Sequence, residues 1–288
     1  MKSVSKKQII TAIVFMACPL ILLVLFTYLP LADMVGYSFL KWDGFGDKKF
    51  VGLKNYIELF TKPAYFSVFK TSFYYLIGSF VQIGLALVFA ALLNTKTKFA
   101  NFFRGAIFFP YLINGVAVGF IFLYFYKAGG TLDTVLMALG FEQEALPLWL
   151  KNVSLINICL AFVSLWRYLG QNMVMFGGAM KSVNSELYEA AALDGASSVQ
   201  TFLYVILPSI KTVISINLIL AVKGAISVFE IPYIMTGGPN GSGTFVTETL
   251  DVAFTSRKIG LASAMGVVLL IIIMLITFIQ KRYFEKGE

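Results

Sequence analysis

Four stretches of this chain each run for more than twenty residues without a charged side chain: 9–31, 71–93, 105–126 and 259–280. A helix needs about 20 residues to cross the roughly 30 Å hydrocarbon layer. Backbone groups find no water inside that layer, so segments that cross it must be helical or close into a barrel. Two further apolar segments carry a charge in their middle, 155–180 with Arg167 and 209–230 with Lys223. With 58% hydrophobic and only 13% charged residues, the chain is far from the ~25% charge of soluble domains. The sequence therefore predicts an all-α membrane protein: a single transmembrane domain over 1–288, with six spans and both termini on one side.

Basic residues in the short flanks set the orientation, because loops rich in Lys and Arg stay cytoplasmic. Lys2, Lys6 and Lys7 precede span 1, Lys96, Lys98 and Arg104 separate spans 2 and 3, and Lys281, Arg282 and Lys286 follow span 6. These flanks place both termini, and the connection between spans 4 and 5, in the cytoplasm. The +8 net charge is read as topology and contact with anionic lipid. No basic patch interleaved with aromatics points to nucleic acid. Span 1 is longer than a signal-peptide core and no small-x-small site follows it, so its retention is expected. Cys18 and Cys159 fall inside spans and read as small buried hydrophobes.

The segment 184–208, between spans 4 and 5, is patterned as a compact pair of helices. Asn184 and Ser185 are good N-caps, and Glu186 and Glu189 put carboxylates in the first turns, where the helix dipole favours them. Ala190, Ala191 and Ala192 continue the helix, and Asp194-Gly195 stops it. Ser197 and Gln200 form a capping box for a second helix, and Pro208 marks the next break. A knob of this kind on the aqueous side of a membrane protein is a surface for a partner to grip.

The chain has no histidine, which removes His-based triads and most transition-metal sites, and no Gly-Lys-Ser/Thr triplet for a phosphate loop. Its fifteen acidic residues lie almost wholly in loops. No catalytic residue, metal site or cofactor is assigned to it.

Glu189-Ala190-Ala191, Asp194-Gly195 and Ile206-Leu207-Pro208 together resemble the Glu-Ala-Ala loop of binding-protein-dependent ABC importer permeases. Tyr28-Leu29-Pro30, Val51-Gly52-Leu53-Lys54-Asn55-Tyr56 and Tyr233-Ile234-Met235-Thr236-Gly237-Gly238-Pro239 are similar to features of the carbohydrate-uptake branch, the maltose, glycerol-phosphate and multiple-sugar type. The resemblance implies a multi-pass protein of the cytoplasmic (inner) membrane, paired with a second homologous permease. Two cytoplasmic ATPase subunits would bind ATP and Mg, and an extracytoplasmic solute-binding protein would deliver the sugar. Glu186, Glu189, Ala190, Ala191, Asp194, Gly195, Leu207 and Pro208 are then the ATPase-coupling residues. Gly237, Gly238, Pro239 and Asn240 form a loop that is either a plain connector or one that fits closely against the binding protein.

A sugar path through a bilayer needs hydrogen-bonding groups and aromatic faces. Span 4 supplies Trp166, Arg167, Tyr168, Gln171 and Asn172, span 5 adds Asn217, Lys223 and Ser227, and span 3 adds Asn114. Intramembrane charge is costly enough to mark Arg167 and Lys223 as functional candidates, and two bases in the path would suit an anionic sugar derivative. Interhelical pairing is the competing role, with Glu230 placed to neutralise Lys223. The rival functions are an ABC permease for a non-sugar solute and an ion-coupled secondary carrier.

Overall fold

The computed structural model describes residues 6–94, 98–238 and 241–285. Lys2, Lys96, Lys286, Pro239 and Asn240 lie outside the described residues. The elements in chain order are α1 (Lys6–Leu23), α2 (Leu29–Tyr37), β1 (Leu40–Lys41), β2 (Lys49–Phe50), α3 (Lys54–Thr61), α4 (Ala64–Ser67), α5 (Phe69–Asn94), α6 (Ala100–Leu112), α7 (Gly115–Tyr126) and α8 (Thr131–Ala138). They continue with α9 (Ile156–Lys181), α10 (Ser185–Leu193), α11 (Ser198–Thr201), α12 (Leu207–Ser209), α13 (Lys211–Ile226), α14 (Glu230–Thr236), α15 (Phe245–Leu250) and α16 (Ile259–Glu285). The chain divides into two compact units, Met1–Pro63 with Thr249–Ile272, and Ala64–Glu248 with Ile273–Glu288.

Five helices among the described residues are long and apolar enough to cross a membrane: Ile13–Tyr37, Ala64–Asn94, Gly115–Ala138, Lys211–Thr236 and Ile259–Phe284. The fourth expected span is the 26-residue α9, whose polar face keeps its hydropathy below theirs. None of the most apolar window of the first span is buried within the chain, so that surface is stable only against lipid or another helix.

Two expected spans are not single helices. The stretch 105–126 breaks at Ile113, which is extended, and Asn114 caps α7 by accepting a hydrogen bond from the Val116 amide at 2.9 Å. A short amide side chain that binds the next turn's backbone competes with helix continuation. The stretch 209–230 ends as a helix at Ile226 and restarts at Glu230. Pro232 lacks an amide to donate and stands in the first turn of α14, so the break just ahead of it leaves no hydrogen bond wanting. The Val228 carbonyl freed by that break accepts the Thr244 hydroxyl at 2.8 Å.

In the first unit, the connection that follows the first span contains α3 and the β1–β2 hairpin. Asp43-Gly44-Phe45-Gly46-Asp47 turns the chain between the two strands: both glycines have positive φ, and the Asp43 carboxylate accepts the Phe45 amide at 3.0 Å. Asn55 fastens α3 to the hairpin through the Ser38 and Leu40 carbonyls. Glu58 pairs with Lys62 at 2.6 Å and Lys258 at 3.2 Å, Lys62 being the main reason its carboxyl sits below the usual carboxylate range. The sign follows: its contribution is present at neutral pH and above, and is lost as pH falls through that lowered value.

In the second unit α5 and α9 form the spine. One core layer gathers Tyr75, Val118, Phe122, Ile156, Leu160 and Ile231, and a second gathers Ile83, Ala86, Met173, Phe176, Met180 and Ile210. Small residues set the helix spacing: Gly170 of α9 lies against the α6 backbone at Ile107 and Phe108, and Gly119 of α7 lies against Ile234 of α14.

Candidate functional site

Each helix of the spine presents one polar face to a cavity of about 450 Å³. On α5 the lining residues are Tyr75, Ser79 and Gln82, and on α9 they are Ser164, Arg167, Tyr168, Gln171 and Asn172. Both sets follow the three- and four-residue spacing that puts side chains on one side of a helix. Asn217, Leu220, Ala221 and Gly224 of α13 do the same, and the α13–α14 break closes the wall with Ser227 to Ile231.

Arg167 holds this wall together. Its Nη1 donates to Glu230 Oε2 at 2.6 Å and its Nη2 reaches the Ile113 carbonyl at 3.5 Å. One guanidinium thereby ties the two places where expected spans are broken. The Glu230 carboxyl fits because position 115 is glycine, since a Cβ there would occupy the carboxyl group's place. Two polar atoms at the cavity are buried with no partner among the described residues, the Tyr75 hydroxyl and Arg167 Nε. Leaving such groups unsatisfied is costly, so both mark this wall as a strained part of the core.

Six of the nine expected path residues meet here: Arg167, Tyr168, Gln171, Asn172, Asn217 and Ser227. Three do not. Asn114 is exposed and serves as the α7 cap. Trp166, one residue and about 100° away from Arg167 around the helix, turns into the apolar layer and packs edge-on to Phe122 with centroids 5.1 Å apart. Lys223 is exposed and outside the cavity wall, and Glu230 pairs with Arg167 instead of with it. Of the two bases on which the acidic-sugar expectation drew, Arg167 lines the cavity, paired with Glu230, and Lys223 does not.

Tyr75, Ser79, Gln82 and Ser164 were not anticipated, and Glu230 was expected only as a counter-charge for Lys223. The signal for the first three was present as an i, i+4, i+7 polar stripe in an otherwise apolar span. Because Trp166 packs and does not line the cavity, Trp166→Ala should cost about 3 kcal/mol of stability and leave solute preference intact. Thermal unfolding beside an uptake competition profile checks this, and altered preference with unchanged stability would contradict it.

The knob forms as its capping pattern requires. Asn184 caps α10, accepting from the Glu186 amide, and Ser197 with Gln200 makes a capping box on α11. The α10 end is a Schellman turn: the Ala196 amide donates to Ala191 at 2.9 Å, the Gly195 amide to Ala192 at 3.1 Å, and Gly195 has φ +73°. Pro208 does not break the chain at once. A wide turn over Phe202–Ile206 absorbs its missing amide, and the break comes at Ile210. Glu186, Glu189, Ala190, Asp194 and Gly195 are exposed, while Ala191 is buried. Beside them Leu193, Val199 and Tyr204 are exposed large apolar residues, Leu193 by 89%. Phe202 and Ile206 anchor the second knob helix to the core layer of α5 and α9, and Leu207 is half-buried.

The Gly-rich loop is pinned at its base. Gly237 caps α14 with φ +69°, and Gly238 has φ +100°. The Gly241 carbonyl accepts Thr71 Oγ1 and Asn157 Nδ2, and the Thr236 and Ser242 hydroxyls bond at 2.7 Å.

Residues 82–287 match the family described as the inner membrane component of binding-protein-dependent transport systems. The chain is 34% identical over 277 residues to the probable ABC transporter permease protein YurN of Bacillus subtilis, covering 94% of each chain. It is 35% identical over 279 residues to the multiple sugar-binding transport system permease protein MsmF of Streptococcus mutans, covering 95% of each. In structure it is similar to a chain of a bacterial ABC transporter that imports the acidic polysaccharide alginate, with a TM-score of 0.84 at 17% identity over 97% of this chain and 96% of that one. A pair of broken spans around a polar cavity, a capped knob between the fourth and fifth long helices and these likenesses agree: the chain belongs to the inner membrane permease components of binding-protein-dependent transport systems.

Proposed function

We propose that this permease forms part of the path by which an ATP-driven importer takes up a carbohydrate, an oligosaccharide or a sugar derivative. The observation that carries this is the cavity itself. Hydroxyl and amide side chains from three helices converge with two tyrosines. Such a wall matches a solute that presents hydroxyls in every direction and ring faces that stack on aromatics. Support comes from MsmF, named for multiple sugar-binding transport, and from the alginate importer, whose own substrate is an acidic polysaccharide.

The chain carries no ATP site of its own on this reading, and two partner ATPases supply the energy by gripping the knob. Glu186, Glu189, Ala190, Asp194 and Gly195 meet the ATPase, with the exposed Leu193, Val199 and Tyr204 adding apolar contact, while the buried Ala191 holds the turn behind them by accepting the Ala196 amide. Leu207 and Pro208 carry the motion into α13. A second permease completes the path, and a solute-binding protein docks on the outer face near Gly237, Gly238, Pro239 and Asn240. In the related alginate importer a structure with an oligosaccharide-bound periplasmic protein is known. Both termini and the knob face the cytoplasm.

Gln171→Leu tests the cavity. Losing the amide's hydrogen bonding to solute should lower uptake about tenfold while solute-independent ATPase activity and assembly hold. Unchanged uptake would remove Gln171 from the path.

A further inference from the structure

The cavity wall contains two charged side chains, Arg167 and Glu230, and they are bonded to each other. From this we infer that this chain's share of the path is built for uncharged oligosaccharides, with Glu230 as the fixed counter-charge that sets the selection. The inference rests on the cavity being the sugar path, and deepens that reading by naming the substrate class.

The arrangement is specific. Arg167 has its side chain 12% exposed and donates at 2.6 Å to a carboxylate that comes from the far side of a helix break. Its second terminal nitrogen reaches the Ile113 carbonyl, and its Cζ lies 5.3 Å from the centroid of the Tyr168 ring. The fork that would otherwise clamp a sugar carboxylate is therefore spent on the protein. Glycine at 115 keeps that place open for Glu230. Lys223, the other base of the central spans, lies outside the wall. What remains for a solute is neutral: the Ser79 and Ser164 hydroxyls, the Gln171 and Asn172 amides, and the Tyr168 and Phe229 rings. An acidic sugar entering here would have to pull Arg167 from Glu230 and leave that carboxylate, its side chain 38% exposed, unpaired beside the sugar's own charge, so that two like charges meet where a neutral pair stood.

The test uses the complete importer, this chain assembled with a partner permease, ATPases and a solute-binding protein. Uptake of maltotriose, raffinose and diacetylchitobiose is compared with that of trigalacturonate and a guluronate trisaccharide. Accumulation of a neutral sugar and of neither uronate is expected. Accumulation of either uronate would overturn the inference and leave the sugar path standing. Accumulation of a peptide or polyamine in place of any sugar would overturn the path reading, and this inference with it.

Two variants then probe Glu230 directly. Glu230→Gln frees the guanidinium and should lower neutral-sugar uptake about tenfold with ATPase assembly intact. The Arg167→Gln, Glu230→Gln pair removes both charges and should return uptake to within about threefold of the parent. A double variant as impaired as the single would show that Glu230 serves some purpose other than balancing Arg167, and would overturn the assignment.

Discussion

Gly195→Val is expected to reduce uptake about thirtyfold and to release the ATPase subunits during purification, while the permease itself remains folded. The glycine ends α10 in a Schellman turn at φ +73°, with open space where a side chain would go. The obstacle is conformational, not steric crowding by neighbours. A β-branched residue in the left-handed region costs about 2 kcal/mol, equivalent to that thirtyfold population change. The cost falls on the turn, because Ala196 and Gly195 lose their bonds to Ala191 and Ala192 and the two knob helices lose their angle. The core layers around Phe122 and Phe176 contain no residue of this turn, so thermal unfolding of the isolated chain should change little. A second variant, Leu193→Asp, leaves the turn intact and charges the most exposed apolar residue of the knob. It should also release the ATPase. Retention of the ATPase by both variants would show that the knob is not the docking surface.

The second large effect is structural. Gly170→Val should prevent accumulation of folded permease, or lower its unfolding transition by at least about 3 kcal/mol. A Cβ at this position would strike the Ile107 carbonyl and the Phe108 Cα, both backbone atoms of α6 that cannot turn aside. The helices would have to separate, which would open the wall that carries Arg167, three residues away on α9. Gly177, on the same helix, has nothing within 4 Å of its Cβ position and is the control. Gly177→Ala should be neutral or slightly stabilising, since alanine is the better helix former. Equal yields and transitions for the two variants would mean that the α6–α9 crossing does not depend on close approach at Gly170.

Hydrophobic run length and capping chemistry were legible in the sequence because both are local. Residues 184–208 needed only Asn184, Gly195 and the Ser197–Gln200 box, and all three act as read. Residues 105–126 and 209–230 misled for a shared reason. Uncharged composition permits a span but says nothing of continuity, and Asn114 and Pro232 act on backbone bonding and not on hydropathy. The cavity was half legible. Charge drew attention to Arg167 and Lys223, yet helix phase decides which of them faces inward, and α13 is too evenly apolar to reveal its phase. The same uncertainty hid Glu230, whose place beside Arg167 depends on the break before Pro232 and on a glycine more than a hundred residues earlier. Tyr75, Ser79 and Gln82 carried a readable stripe, but hydroxyls and one amide in a long apolar helix are equally common as packing residues.

The most direct measurement is uptake by the full importer reconstituted in vesicles with ATP inside, compared with the same assembly whose ATPase subunits bind but do not hydrolyse nucleotide. Import driven through the knob predicts accumulation of sugar above its outside concentration in the first case and none in the second, whatever proton or sodium gradient is imposed. Accumulation that survives loss of hydrolysis and collapses with an ion gradient would contradict it, and would make this chain a carrier in its own right.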